Sequence, residues 1–267
     1  MVKEDRSGND EKGLIFYHRA YRIFPSGGVR RHTIEILLLF LLFGLIVYLL
    51  FPLATRLTSY FSKQVLSYVM PPNTLQIIQK PFLFRHVYMI DRIGKFPGAF
   101  FLLITLIITL LIMIVVPRLK NIPKSFGTWI SLAAAINMIS CLFFLFFSNR
   151  FPYDIRIFSE LYVETQVIIW FLIAFIVPMA LAPFPVNIFL KIGVTGFILA
   201  YSVIFGCARY IIFLYILTKH SYLFMAPLFF IFGPLVDSVY IIGIYSLFIS
   251  LVATKMKGVM TKWRWSY

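Results

Sequence analysis

Six runs of about 17 to 29 predominantly apolar residues divide the chain: Thr33–Leu53, Ala99–Val116, Gly127–Phe147, Thr165–Leu181, Phe189–Leu217 and Phe224–Val252. A hydrocarbon core of roughly 30 Å needs about 20 such residues per helix, so each run is long enough to cross it. The pattern predicts an all-α polytopic membrane protein: a bundle of about six transmembrane helices with short interfacial helices. The last two runs exceed what a bilayer requires, which implies tilt or continuation past the hydrocarbon. Pro227 and Pro234, early in the last run, predict a kink there.

The polar stretches set the domain organisation. Residues 1–32 form a cytoplasmic tail and juxtamembrane segment: 1–13 are too polar to bury anything, and 14–32 mix Phe16, Tyr17 and Tyr21 with Arg19, Arg22, Arg30 and Arg31 in a way that suits a headgroup layer. Residues 33–252 form the six-helix membrane domain. Residues 253–267 form a C-terminal anchor in which Trp263 and Trp265 alternate with Lys262 and Arg264. The longest connection, 54–98, is expected on the extracytoplasmic side. Its first half spaces Leu57, Tyr60, Phe61, Val65 and Leu66 for a short interfacial helix ending at Pro71 and Pro72. Its second half mixes Phe82, Phe84, Val87 and Tyr88 with Lys80, Arg85 and Arg92, as a surface segment or a cap on the bundle would.

Composition agrees with this division. Hydrophobic residues make up 61% of the chain, and the mean hydropathy of +0.90 would leave a soluble fold with more apolar surface than it could hide. The net charge of +15 comes from Lys and Arg that lie mostly beside apolar runs, where they meet anionic headgroups, so membrane lipids rather than nucleic acid are the expected partners. Six crossings place both termini on one side, and fifteen of the 25 Lys and Arg residues fall on that side, which predicts cytoplasmic termini in a cell membrane. Cys141 and Cys207 both lie inside apolar runs, as buried thiols rather than a disulfide framework. No cofactor is expected: none of His18, His32, His86 and His220 sits at the centre of a span to hold haem, and no His or Cys pair has metal-ligand spacing.

Candidate chemistry follows from the few polar groups at depth. Ionisable side chains in hydrocarbon are expensive and face the bundle interior, which singles out Arg209 and Asp237 on adjacent antiparallel helices. Counting from the loop at Lys219, Arg209 lies roughly 12 Å deep and Asp237 roughly 16 to 22 Å, a gap that an arginine side chain closes. Tyr240 and Asn137 are placed at comparable depth and complete a candidate intramembrane polar site. Asp154, Glu160 and Glu164 form an extracytoplasmic acidic cluster, suited to capping the fourth span or to meeting the basic 54–98 loop. Glu35, early in the first span, is within reach of Arg30 or Arg31.

Three functions fit. The favoured one is a non-enzymatic subunit or scaffold of a larger membrane assembly, because no concentration of charged or metal-ligating groups stands at one depth beyond Arg209 and Asp237. The second is a transporter or permease component with its polar path at that pair. The third is a membrane-embedded enzyme with Cys207 as nucleophile. A transpeptidase of the exosortase kind works with a cysteine, an arginine and a histidine, and Cys207, Arg209 and His220 supply those residue types. On one helix, however, Cys207 and Arg209 point about 200° apart, and His220 is well over a dozen Å further along.

Overall fold

A computed structural model of the chain describes residues 22–23, 28–71, 74–119, 123–184, 186–256 and 264–265, with side chains described between 33 and 252. In chain order the elements are β1 (Arg22–Ile23), α1 (Gly28–Ser67), β2 (Gln76–Phe82), β3 (Arg85–Asp91), α2 (Ala99–Val115), α3 (Lys124–Phe147), α4 (Ile155–Leu181), α5 (Ile188–Lys219), the short α6 (Met225–Phe230), α7 (Pro234–Met256) and β4 (Arg264–Trp265). Among the described residues, six helical segments are long and apolar enough to span a membrane and 79% of residues are helical, an all-α polytopic bundle.

Helix α4 is the axis of the bundle. Half of its most apolar window is buried, against 11% and 17% for α2 and α3. Phe158, Tyr162, Gln166, Trp170, Ala174, Pro178 and Leu181 recur mainly every four residues and are buried against α1, α5 and α7. Lipid is as apolar as leucine, so close packing and hydrogen bonds rather than water exclusion hold such helices together. Helices α2 and α3 form a peripheral antiparallel pair, stitched at mid-length where Asn137 Nδ2 donates to Thr109 Oγ1 at 2.9 Å. Phe100, Ile107, Ile139 and Phe146 point outward from that pair, as lipid-facing side chains do.

The first span does not stop at Leu53. It runs on through Pro52 as one helix to Ser67, so the separate interfacial helix expected after Leu57 is a continuation of α1. The second half of the 54–98 connection is a β-hairpin, with Gln76 opposite Asp91 and Phe82 opposite Arg85. Its turn places Leu83 and Phe84 at φ 47° and 63°, the left-handed pair that a two-residue hairpin loop needs. Non-glycine residues adopt that backbone at about 1–2 kcal/mol each.

The hairpin tip explains how Pro52 is tolerated. Proline has no N–H, so the Tyr48 carbonyl loses its helical donor. Arg85 Nη1 takes that place, donating to the carbonyls of Tyr48 and Leu49 at 2.9 Å each. Arg85→Ala should therefore destabilise the fold by about 1–3 kcal/mol, the range for losing a charge-assisted bond to a part-buried carbonyl. In a Pro52→Ala background, where the helix regains its own donor, most of that loss should vanish. Melting temperatures of the two single variants and the double variant in detergent measure the coupling.

At the opposite end of α1, the expected contact of Glu35 with Arg30 or Arg31 lies outside the described residues, and Glu35 has another partner. Its carboxylate binds Lys191 Nζ at 2.7 Å, and the ammonium also donates to the Ala182 carbonyl at 3.1 Å. Lys191, one of the fifteen basic residues counted on the cytoplasmic side, is only 2% exposed. The last span is broken rather than kinked. After α6 the chain turns at Ile231–Gly233 and restarts as α7 with Pro234 in its first turn, where a missing N–H leaves no intrahelical bond unmade. The strands β1 and β4 pair Arg22 with Trp265 and bring the two ends of the chain together. The polar tail, most of the 14–32 surface segment and the tryptophan side chains of the C-terminal anchor lie outside the described residues.

Candidate functional site: an ion pair at a broken helix

The break in the last span puts Asp237 in the first turn of α7, where the helix dipole favours an anion. Facing it from α5, Arg209 divides its guanidinium between two targets. Nη2 straddles the carboxylate, donating to Oδ1 at 2.7 Å and Oδ2 at 2.8 Å. Nη1 donates to the carbonyls of Phe232 at 3.0 Å and Gly233 at 2.7 Å at the break, the Gly233 carbonyl also accepting from the N–H groups of Val236 and Asp237. One side chain thus satisfies both the acid at the start of α7 and the open backbone before it. Arg209 is 5% exposed and Asp237 1%, and the guanidinium carbon lies 5.2 Å from the Phe205 ring centroid.

Helix α4 supplies a third member that sequence inspection passed over. Gln166 Nε2 donates to Asp237 Oδ2 at 3.1 Å. The only signal was a lone amide inside an apolar run, at a position that meets Asp237 once the break sets the register of α7. Gly206 makes room for it, since a Cβ there would sit 2.5 Å from Gln166 Oε1. One turn before Gln166, Tyr162 donates to the Gly206 carbonyl at 2.8 Å and stacks on Tyr210 with ring centroids 5.2 Å apart. The Tyr210 hydroxyl in turn accepts from the Ile90 N–H of β3 at 2.9 Å. The hairpin is therefore tied, through two tyrosines, to the helices that carry the ion pair.

Of the other residues singled out in the sequence, Tyr240 is beside the pair, its hydroxyl donating to Ser202 Oγ at 2.7 Å. Asn137 is not: it belongs to the α2–α3 seam, because α3 packs on α2 and the α6 region rather than against Gly206. Cys207 lines a small cavity of about 10 Å³ between α1, α4 and α5, with its thiol facing the Thr58 carbonyl at 4.0 Å. Arg209 points away from it into the break, and His220 caps the far end of α5, with its ring 6.4 Å from that of Tyr215. Cys207, Arg209 and His220 are thus three separate environments.

The acidic cluster also divides. Asp154 caps α4, accepting from the Ile157 N–H at 2.8 Å. Glu160 forms an ion pair with Lys80 of β2, a contact with the basic 54–98 loop, and Glu164 is half-buried one turn further on. Among the described residues, no three His, Cys, Asp or Glu side chains gather as a metal-binding set.

Chemically, the Arg209–Asp237–Gln166 arrangement is a lock whose charged ends are engaged, while Arg209 Nε and Gln166 Oε1 have no partner among the described residues. Both carboxylate oxygens and both terminal guanidinium nitrogens are engaged, and the partners come from three helices. No family model matches the chain, and no curated protein or solved structure does so either.

Proposed function

We propose that this chain is a non-enzymatic integral membrane subunit or scaffold, whose bundle holds the β2–β3 hairpin as a contact surface for another membrane protein. The observation that carries this reading is the asymmetry of the hairpin. Strand β3 is built into the bundle, with Val87 and Ile90 fully buried and Met89 nearly so, whereas β2 is turned outward with a free edge. Ile77, Leu83 and Phe84 are exposed along it, and Phe84 at the turn is fully exposed. At the open end, Thr74, Gln76, Asp91, Arg92 and Ile93 line a surface cavity of about 380 Å³, large enough for a partner side chain.

Such a surface is preorganised. Tyr88 N–H donates to Thr55 Oγ1, Ile90 N–H donates to Tyr210, and Arg85 is fixed on α1, so docking would not have to order the hairpin first. The Arg209–Asp237 lock supports the same reading, since a residue pair that fastens a broken helix serves shape rather than flux. The proposed setting is a cell membrane with both termini cytoplasmic, in line with the excess of Lys and Arg on that side.

Native purification tests the proposal. The full chain should co-purify with partners in fixed stoichiometry, and replacing 76–91 by a short glycine–serine connection should remove them while the bundle keeps its helical circular dichroism. Partners that persist after this replacement would overturn the docking role of the hairpin, and the permease reading centred on Arg209 and Asp237 would then take precedence.

A further inference from the structure

The cavity beside Cys207 carries two buried polar atoms that the ion pair does not account for. Gln166 must turn Nε2 toward Asp237, because only the amide nitrogen can donate to a carboxylate, and this forces Oε1 the other way, toward Gly206. Among the described residues, Oε1 has no hydrogen-bond partner, and neither has Nε1 of Trp170, one turn further along the same face of α4. Gln166 is 4% exposed and Trp170 5%, and both line the cavity together with Gly206, Thr58 and Cys207. A buried carbonyl and a buried indole N–H left unpaired would each cost about 1–3 kcal/mol.

We propose that this cavity is a binding site for a single water molecule, which accepts from Trp170 Nε1 and donates to Gln166 Oε1. The chemistry of the lining selects the occupant. It must accept on one side and donate on the other, which excludes an apolar guest. An anion has no proton for Oε1, and a cation has no lone pair for the indole N–H. The volume of about 10 Å³ is close to what one water centre requires and leaves no space for a larger molecule. The hydroxyl of Thr58 and the thiol of Cys207 provide further weak partners within the lining.

The bound water extends the lock by one step. The chain of bonds runs from the Trp170 indole through water to Gln166, then to Asp237, Arg209 and the carbonyls of the break. Water held on Oε1 keeps the Gln166 amide in the one orientation that serves Asp237, so the cavity stabilises the ion pair without touching it. This inference does not depend on the docking role of the hairpin.

Ultraviolet resonance Raman spectroscopy of the purified full chain tests it, because the indole N–H vibration differs between bonded and free states. The difference spectrum between the wild type and Trp170→Phe isolates this tryptophan from Trp129, Trp263 and Trp265. A hydrogen-bonded signal that exchanges in D2O is expected for the wild type. In Val203→Leu, which adds a methylene to the cavity wall and removes no polar partner, the signal should shift to the free position. A free indole signal in the wild type would overturn the proposal. So would a bonded signal that survives in Val203→Leu, since the partner would then be a protein group. If Val203→Leu fails to fold, Val203→Ile provides the same comparison by filling the cavity without removing a polar partner, with helical circular dichroism as the folding control.

Discussion

Replacing Arg209 by methionine is expected to cost the folded chain about 3–5 kcal/mol, because it leaves the Asp237 carboxylate without its counter-charge and takes the arginine donor from two backbone carbonyls, in a site almost closed to solvent. Asp237→Leu should cost a similar amount by stranding the guanidinium. The double variant should recover much of the loss, since an apolar pair of similar volume removes both desolvation penalties at once. Recovery would be incomplete, because the carbonyls of Phe232 and Gly233 would still lack the bonds that Arg209 donates. Thermal unfolding in detergent, with the fraction of monodisperse protein as a second readout, measures all three. A double variant no better than the worse single variant would mean that the pair does more than join α5 to α7.

That pair was legible in the sequence for a physical reason. Two opposite charges deep in apolar runs have few ways to be tolerated, and adjacent antiparallel helices brought them within reach. The six spans were legible on similar grounds, since an apolar run of this length has few alternatives to crossing lipid. What could not be read was the neighbourhood of the pair. Gln166 looked like an isolated amide, and only the restart of α7 at Pro234 turns Asp237 toward it.

The hairpin was hidden by its turn. Sequence signals for a two-residue loop are Asn-Gly or Asp-Gly, which adopt positive φ cheaply. Here Leu83 and Phe84 occupy those positions, and their strain is offset by Arg85, which meets a need that Pro52 creates thirty-three residues earlier. A requirement and its remedy so far apart leave no local trace. The same distance hid the partner of Glu35. Nearby Arg30 and Arg31 were the local choice, but Lys191 is brought to Glu35 by α5 packing along α1, and no spacing within the first 40 residues encodes that.

Gly233→Ala is expected to act on the ion pair without changing either charge. A Cβ at this position would fall inside contact distance of the Phe229 carbonyl oxygen, a backbone atom that no side-chain rotamer can move. Relief requires the turn between α6 and α7 to open, and the same movement withdraws the Gly233 carbonyl from Arg209 Nη1 and shifts the first turn of α7 that carries Asp237. Steric strain of about 1–3 kcal/mol therefore combines with weakening of charge-assisted bonds of about 1.5–3 kcal/mol, and the total should approach that of Arg209→Met. The two effects share a cause, so Gly233→Ala in the Arg209→Met background should add clearly less than it does in the wild type. Melting temperatures of the single and double variants decide this. Full additivity would show that the turn and the ion pair are independent, and that Arg209 does not hold the break in the last span.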